Sequence, residues 1–209
     1  MQPVALDLFC GAGGTGYGYH LAGFRVVGVD TEPQKNYPFE FHQADALTFH
    51  LEGFDLIHAS PICKDYSACA VLNNVSHPRQ ISAVRKRLAA SGVPWIIENV
   101  TRAPLRNPVM LCGAMFPGVR VYRHRLFEAS FAIPQPAEPE HLWPQAKMGR
   151  PAKPGEFIQP VGHFSGVQQV RAAMQIPWMT RDELAQAVPP AYTEYVGLAA
   201  LAAMRRAAR

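Results

Sequence analysis

The stretch Val4–Gly16 restricts the fold more than any other part of the chain. An apolar run, Val4 to Phe9, is interrupted only by Asp7, and Cys10-Gly11-Ala12-Gly13-Gly14-Thr15-Gly16 follows at once. The pattern predicts a strand, a tight glycine turn and a helix, an arrangement that brings backbone close to a nucleotide-like ligand and aims helix N–H groups at it. A tight connection with no ligand would use the same glycines. The next run, Arg25 to Val29, ends in Asp30, where a carboxylate can accept hydrogen bonds from both ribose hydroxyls of a nucleoside. Phe39 to Ala44 is a third short run and ends at Asp45. Asp7, Asp30 and Asp45 are expected to point toward one crevice, although each also suits a helix cap or a solvated turn.

Phe54 to Ser67, FDLIHASPICKDYS, delivers a cysteine directly off an apolar run. Phe54, Leu56 and Ile57 read as a short buried strand, which Ser60-Pro61 stops because proline cannot continue the ladder. Cys63 therefore sits at a strand's carboxyl end, where open α/β sheets place ligands; a buried structural thiol is the other meaning of such a residue. A polar segment, Lys64 to His77, leads to a helix expected from about Pro78 to Ser91, with Ser76 or His77 as cap and Gly92 at its exit. Ile81, Val84 and Leu88 share its buried face, while Arg79, Arg85, Lys86 and Arg87 either meet phosphate or form a solvated face. Val93 to Ile97 reads as a further strand bringing Glu98-Asn99-Val100 to the edge that carries Cys63. Apolar neighbours there raise a carboxylate's pKa and help it hold a proton, though a glutamate at a strand end also serves as a cap. In the run Val119 to Phe127, strand alternation puts Arg123 and Arg125 on one face, suited to phosphate or a base edge.

From Ile133 to Pro160 the texture changes, with seven of the chain's 19 prolines and no sustained period. Leu142, Trp143, Phe157 and Ile158 offer something to pack, so the segment reads as a small loop-rich lobe and not a disordered linker. Helices are expected at Val167 to Met174, after the capping box Thr180-Arg181-Asp182-Glu183, and from about Ala191 to a carboxyl-terminal Arg205-Arg206.

The four cysteines show no zinc-type spacing, and no metal is expected. No apolar run approaches the roughly 18 residues of a membrane span and no signal sequence is evident, so the expected location is cytoplasmic. A net charge of +4 and a pI near 9.0 fit a polyanionic partner without requiring one.

The ordered motifs resemble those of the cytosine-C5 DNA methyltransferases, from Leu6 to about Gly197. LDLFCGAGG is similar to the family's cofactor loop, SPIC to its nucleophile motif, ENV to its catalytic Glu-Asn-Val, RHR to its paired arginines and AVPPAYTEYVG to its closing motif. The resemblance implies an α/β, Rossmann-like S-adenosylmethionine-dependent methyltransferase fold, with a catalytic domain over 1–130 and 180–209 and a short target-recognition insertion over 131–179. It implies Cys63 as nucleophile, Glu98 as acid, Arg125 as a contact to the base carbonyl, and Arg123 as the group that orients Glu98 or meets a phosphate. S-adenosylmethionine would lie against Phe9, Gly11, Ala12, Gly13, Asp30, Thr31, Asp45, Ala46, Pro61 and Gln186. The target nucleotide, in DNA, would lie against Lys64, Ser67, Arg79 and Asn99.

The chain departs from the family pattern in four places, five residues in all. Ile62 stands where proline normally precedes the cysteine, Lys64 where glutamine follows it, Val121 in place of the glutamine of the arginine motif, and Ala185-Gln186 in place of Gly-Asn. The motifs alone do not separate a tRNA cytosine methyltransferase from a DNA one; the Ile62 change keeps open a catalytically silent DNA-binding regulator, and Lys64 either reaches a DNA phosphate or pairs with carboxy-S-adenosylmethionine so that a carboxymethyl group is transferred.

Overall fold

The computed structural model describes residues 2–62, 80–147 and 149–207. Its framework is a seven-stranded sheet in the order β3-β2-β1-β4-β5-β7-β6. The strands are β1 (Val4–Leu8), β2 (Arg25–Asp30), β3 (Glu40–Gln43), β4 (Leu56–Ala59), β5 (Trp95–Asn99), β6 (Val109–Leu111) and β7 (Arg125–Ala129). β1 to β5 pair in parallel, β7 runs antiparallel to β5, and β6 antiparallel to β7. The chain leaves β1 toward β2 and β3, then returns to β4 on β1's other side. This reversal opens a crevice above the carboxyl ends of β1 and β4.

Strand alternation sorts the core onto the two faces of the sheet. Ala5, Val26, Leu56, Ile96 and Phe127 face helices α1 (Gly14–Ala22) and α5 (Pro190–Ala207), packing with Tyr19, Phe24, Tyr192 and Val196. Leu6, Leu8, Val27, Val29, Ile57 and Ile97 face the other way, toward Val84 and Leu88 of α2 (Ile81–Ala90). α1 and α5 approach closely because glycines meet there. A Cβ on Gly18 would lie 2.1 Å from Thr193 Oγ1 and 2.2 Å from the Pro190 carbonyl oxygen, and one on Gly197 would lie 2.8 Å from the Ala22 Cβ. Thr193 Oγ1 donates to the Thr15 carbonyl at 2.8 Å and ties the two helices across 178 residues of sequence.

A third cluster gathers Val119, Val121, Ile158, Phe164, Val170, Met174, Ile176, Met179 and Leu184 around α3 (Val167–Met174) and α4 (Arg181–Gln186). Thr180 caps α4 with the reciprocal Glu183 contact that the sequence predicts. Between β7 and α3 the described residues form no helix or strand, apart from isolated bridges at Val121–Ile158 and Gln145–Phe157. Phe157 and Ile158 are buried there as expected, but Leu142 and Trp143 are 72% and 53% exposed and do not serve as its packing residues.

Two expectations for α2 change. Arg85 is bound through its Nε to Glu128, at 2.6 Å in an environment nearly closed to water, and Arg87 donates to the Ala46 carbonyl at 2.9 Å. Both arginines therefore tie α2 to neighbouring elements, and neither belongs to an open phosphate-binding face. The expected cap at Ser76–His77 lies outside the described residues, and the helix is described from Ile81.

Candidate active site

The turn from β1 to α1 is built from backbone that most residues avoid. Phe9 takes a left-handed conformation with φ 59°, Gly11 follows at φ 48°, and Gly13 caps α1 at φ 85°. A left-handed phenylalanine is a form of strain that persists where surrounding contacts over-determine it, often at functional sites. The N-cap Gly13 offers no side chain and the first turn of α1 carries no acid of its own, but Asp7 of β1 accepts from the Gly16 N–H in that turn. Trp178 Nε1 donates to the Ala12 carbonyl at 2.9 Å and braces the turn from a distant segment. Nothing in the local sequence pattern points to that contact.

Asp30 at the end of β2 reaches this turn, accepting from the Gly11 N–H at 3.0 Å and the Glu32 N–H at 3.1 Å. Asp45 is exposed after β3. Its Oδ1 accepts from the Leu47 N–H at 2.8 Å, the cap-like role open to it from the sequence, while the adjacent Ala46 is buried. Thr31 is exposed, and its carbonyl accepts from Gln43 Nε2 at 3.0 Å. Gln186 is exposed at the end of α4.

Asp7 does not join these acids. Alternation turns it toward α1, where it is fully buried and accepts from Thr15 Oγ1 at 3.0 and 2.9 Å and from the Tyr37 hydroxyl at 3.4 Å. Burial pushes its carboxyl up to about 8, against the opposing pull of those hydroxyls. It anchors the turn from below and stays outside the crevice.

On the same sheet face as Asp7 stand His58 of β4 and Glu98 of β5. Glu98 is 5% exposed and pairs with Arg125, whose Nε lies 3.0 Å from its Oε1. Burial raises its pKa, opposed by Arg125, by a hydrogen bond from Ser60 and by the charge of Arg123. Ser60 Oγ lies 2.8 Å from His58 Nε2, and His58 Nδ1 lies 2.8 Å from the Tyr19 hydroxyl. One tautomer satisfies the whole chain: Tyr19 donates to Nδ1, Nε2–H donates to Ser60, and Ser60 donates to Glu98. Burial holds His58 near 3, so it stays neutral and keeps that direction of donation. The sequence reading missed this chain; its visible signal is a histidine inside an apolar strand.

Asn99 is 1% exposed, and its Nδ2 donates to the Pro61 carbonyl at 2.8 Å. Its Oδ1 accepts from the Val100 N–H at 3.0 Å. With both ends of its amide engaged on backbone, Asn99 holds the segment that leads to Cys63 and is poorly placed to contact a nucleotide. Pro61 is buried and Ile62 is 38% exposed. Cys63, Lys64, Ser67 and Arg79 lie outside the described residues.

The paired arginines diverge. Arg123 has φ 29°, which breaks the expected strand, and β7 begins only at Arg125. The Tyr192 hydroxyl donates to the carbonyls of Tyr122 and Arg123 and supports the kink. As a result the Arg123 guanidinium donates to the carbonyls of Ala187, Pro160 and Ala185, and it is Arg125, not Arg123 as expected, that pairs with Glu98. The expectation of one shared face fails because alternation requires extended backbone. Val121, where the family motif carries glutamine, is fully buried in the cluster around α3.

The parallel sheet with its reversal beside β1, its antiparallel β7 and its strained glycine turn define the Rossmann-like fold of S-adenosylmethionine-dependent methyltransferases. Solved structures that share it include a prophage-encoded E. coli protein assigned as a DNA modification methyltransferase. That protein is 13% identical with a TM-score of 0.69, and the match covers 98% of this chain and 99% of that one. The S. pombe Dnmt2 methyltransferase is 13% identical with a TM-score of 0.63, and Entamoeba histolytica methyltransferase EhMeth is 12% identical with a TM-score of 0.60. Both matches again cover 98% of this chain and 99% of theirs. No family model and no curated protein sequence matches the chain. At such identities the likeness establishes the fold. No described helix is long and apolar enough to cross a membrane.

Proposed function

We propose that this chain is a methyltransferase that modifies C5 of cytosine in DNA, using S-adenosylmethionine. The observation that carries the proposal is Glu98: a buried carboxyl raised by desolvation, gripped by Arg125 and Ser60, beside the Asn99–Pro61 clasp that leads to Cys63. The cofactor fits the residues present, since Asp30 stands beside the left-handed turn of Phe9 to Gly13 and the glycines of that turn let backbone approach a ligand closely. Phe9, Gly11, Ala12, Gly13, Asp30 and Thr31 would hold it, with Asp45, Ala46, Pro61 and Gln186 around the crevice. Its chemistry is the supply of an electrophilic methyl group.

Cytosine C5 is too weak a nucleophile to take that group unaided. The Cys63 thiolate forms a bond to C6, and the displaced electron pair moves through C5 toward N3. Glu98 gives N3 a proton or a strong hydrogen bond, which stabilises the charge where it develops. Arg125 and Ser60 keep the carboxyl oriented. After C5 is methylated, loss of its proton to a base and cleavage of the sulfur–C6 bond release the product. A paired base is out of reach of such a site, so the target is flipped out or single-stranded. Residues 131–179 form the lobe that reads the target. Their modest size predicts a short or relaxed recognition sequence and binding that weakens steeply with salt.

The likeness in fold to a chain assigned to DNA modification supports DNA over other nucleic acids. The deciding experiment offers DNA and tRNA with labelled cofactor, then DNA containing 5-fluorocytosine. Wild type should label DNA and form a covalent adduct, Cys63→Ala should do neither, and Glu98→Gln should lose about 10²–10⁴-fold in rate. Label in tRNA alone, or methylation by Cys63→Ala, would overturn the proposal. The same nucleosides, analysed by mass after incubation with carboxy-S-adenosylmethionine, test whether Lys64 extends the reaction to a carboxymethyl group.

A further inference from the structure

Cys112, His124 and His141 come from three separate parts of the chain and converge. Cys112 follows β6, His124 immediately precedes β7, and His141 belongs to the loop-rich lobe. One ligand atom from each lies within 4.8 Å of the others, and Cys112 Sγ is 3.3 Å from His141 Nε2. Around a tetrahedral zinc ion, with Zn–S of about 2.3 Å and Zn–N of about 2.0 Å, such ligand pairs stand roughly 3.3–3.6 Å apart. Bringing the three onto an ion requires only a small inward movement.

Burial raises the Cys112 thiol, and backbone donors of the following turn work against that. Cys112 opens a 3-10 turn, Gly113–Met115, and its sulfur accepts from the backbone of that turn. Such N–H donors stabilise negative charge on sulfur. Tyr122 orients His141: the two rings lie 4.2 Å apart, the Tyr122 hydroxyl donates to the Trp143 carbonyl at 2.6 Å, and the Trp143 N–H returns a bond at 3.0 Å. Phe157 packs edge-on against Tyr122 from behind. Cys112 is closed to solvent while His141 is exposed, so an ion has a way in.

We propose that Cys112, His124 and His141 bind one zinc-class divalent ion, with water completing the tetrahedron. The sequence spacing hides such a site, because the three ligands share no short motif and only the fold assembles them. The ion's role is to fasten the lobe to the sheet edge that also carries Glu98 and Arg125. Clamping one long loop constrains the chain as a disulfide would, without requiring an oxidising compartment. The reaction proposed above proceeds without it, and the two proposals fail independently.

Cobalt(II) is the probe, added to the metal-free protein and followed by absorption, with zinc as competitor. The expected result is a thiolate-to-cobalt charge-transfer band and intense tetrahedral visible bands at one equivalent, both abolished by zinc. His141→Ala, at an exposed position that leaves the fold intact, should weaken binding at least about 10-fold, and Cys112→Ser should remove the charge-transfer band. Absence of the charge-transfer band in wild type, or cobalt affinity unchanged in His141→Ala, would overturn the site.

Discussion

Replacing Gly18 by alanine sets two measurable effects against each other. On an exposed helix the change would stabilise by about 1 kcal/mol, because glycine loses more backbone freedom than alanine. At Gly18 the added methyl meets Thr193 Oγ1 at 2.1 Å, the Pro190 carbonyl oxygen at 2.2 Å and the Glu194 amide nitrogen at 2.7 Å. Two of these are backbone atoms of α5 and cannot rotate aside, so the helices must separate. Overpacking of this kind costs about 1–3 kcal/mol, and separation also sacrifices the Thr193–Thr15 hydrogen bond, worth about 1 kcal/mol. The overlap wins, with a net loss of about 2 kcal/mol. For a chain of this size that lowers Tm by about 4–8 °C. In urea the midpoint should fall with an unchanged slope, since the surface exposed on unfolding is the same. Calorimetric titration should show weaker S-adenosylmethionine binding, because α1 carries the turn at Gly13. An alanine variant as stable as wild type, or more so, would refute this account of the helix contact.

The pH dependence of stability should be asymmetric. Asp7 has a folded pKa raised to about 8, so its contribution is complete below the unfolded value near 4 and is lost as pH rises toward 8; His58, depressed to about 3, contributes fully above 6.5 and loses this as pH falls. Between about pH 4 and 6.5 the two slopes oppose, while from 6.5 to 8 Asp7 acts without that opposition and removes about 2 kcal/mol. Urea midpoints measured across this range should flatten on the alkaline side in Asp7→Asn, and a wild-type midpoint that climbs from pH 6.5 to 8 would contradict the burial argument. Arg123→Ala leaves the carbonyls of Ala185, Ala187 and Pro160 without their donor and should cost about 2–4 kcal/mol, with Arg123→Lys intermediate because an ammonium cannot span all three. Chemical denaturation of the two variants checks this, and a lysine variant matching wild type would show that the guanidinium fork is not what joins these segments.

The sheet and the turn were legible because their causes are local. The near-continuous apolar run Val4–Leu8, glycines where left-handed backbone is required, and the Thr180–Glu183 box all act over a few residues. Arg123 was not legible: its kink depends on Tyr192, and its partners lie 37 to 64 residues away. Asp7 illustrates a different limit. An acid in an apolar run looks the same whether it faces a ligand or a helix, and only the packing of Thr15 and Tyr37 over it decides. Motif order singled out Glu98 and both arginines but not which arginine grips Glu98, and the relay through Ser60 and His58 requires adjacent strands in register. Arg85 looked like a surface cation because Glu128, its partner, belongs to an antiparallel strand that motif order does not place.

The union of α1 with α5 also dictates when during synthesis the cofactor turn can mature. Closing a loop of 178 residues carries an entropic cost of about 5 kcal/mol, beyond what one hydrogen bond and a glycine contact return by themselves. The helix that follows Gly13 is made long before α5, and its Gly18 face stays uncovered until Pro190 to Gly197 emerge. A nascent chain can pair β1 with β2 early, since only the crossover through α1 separates them, but the final setting of the glycine turn waits for α5. If S-adenosylmethionine is the ligand of this turn as proposed, ribosome-bound fragments that stop short of α5 should fold their first strands while remaining blind to it.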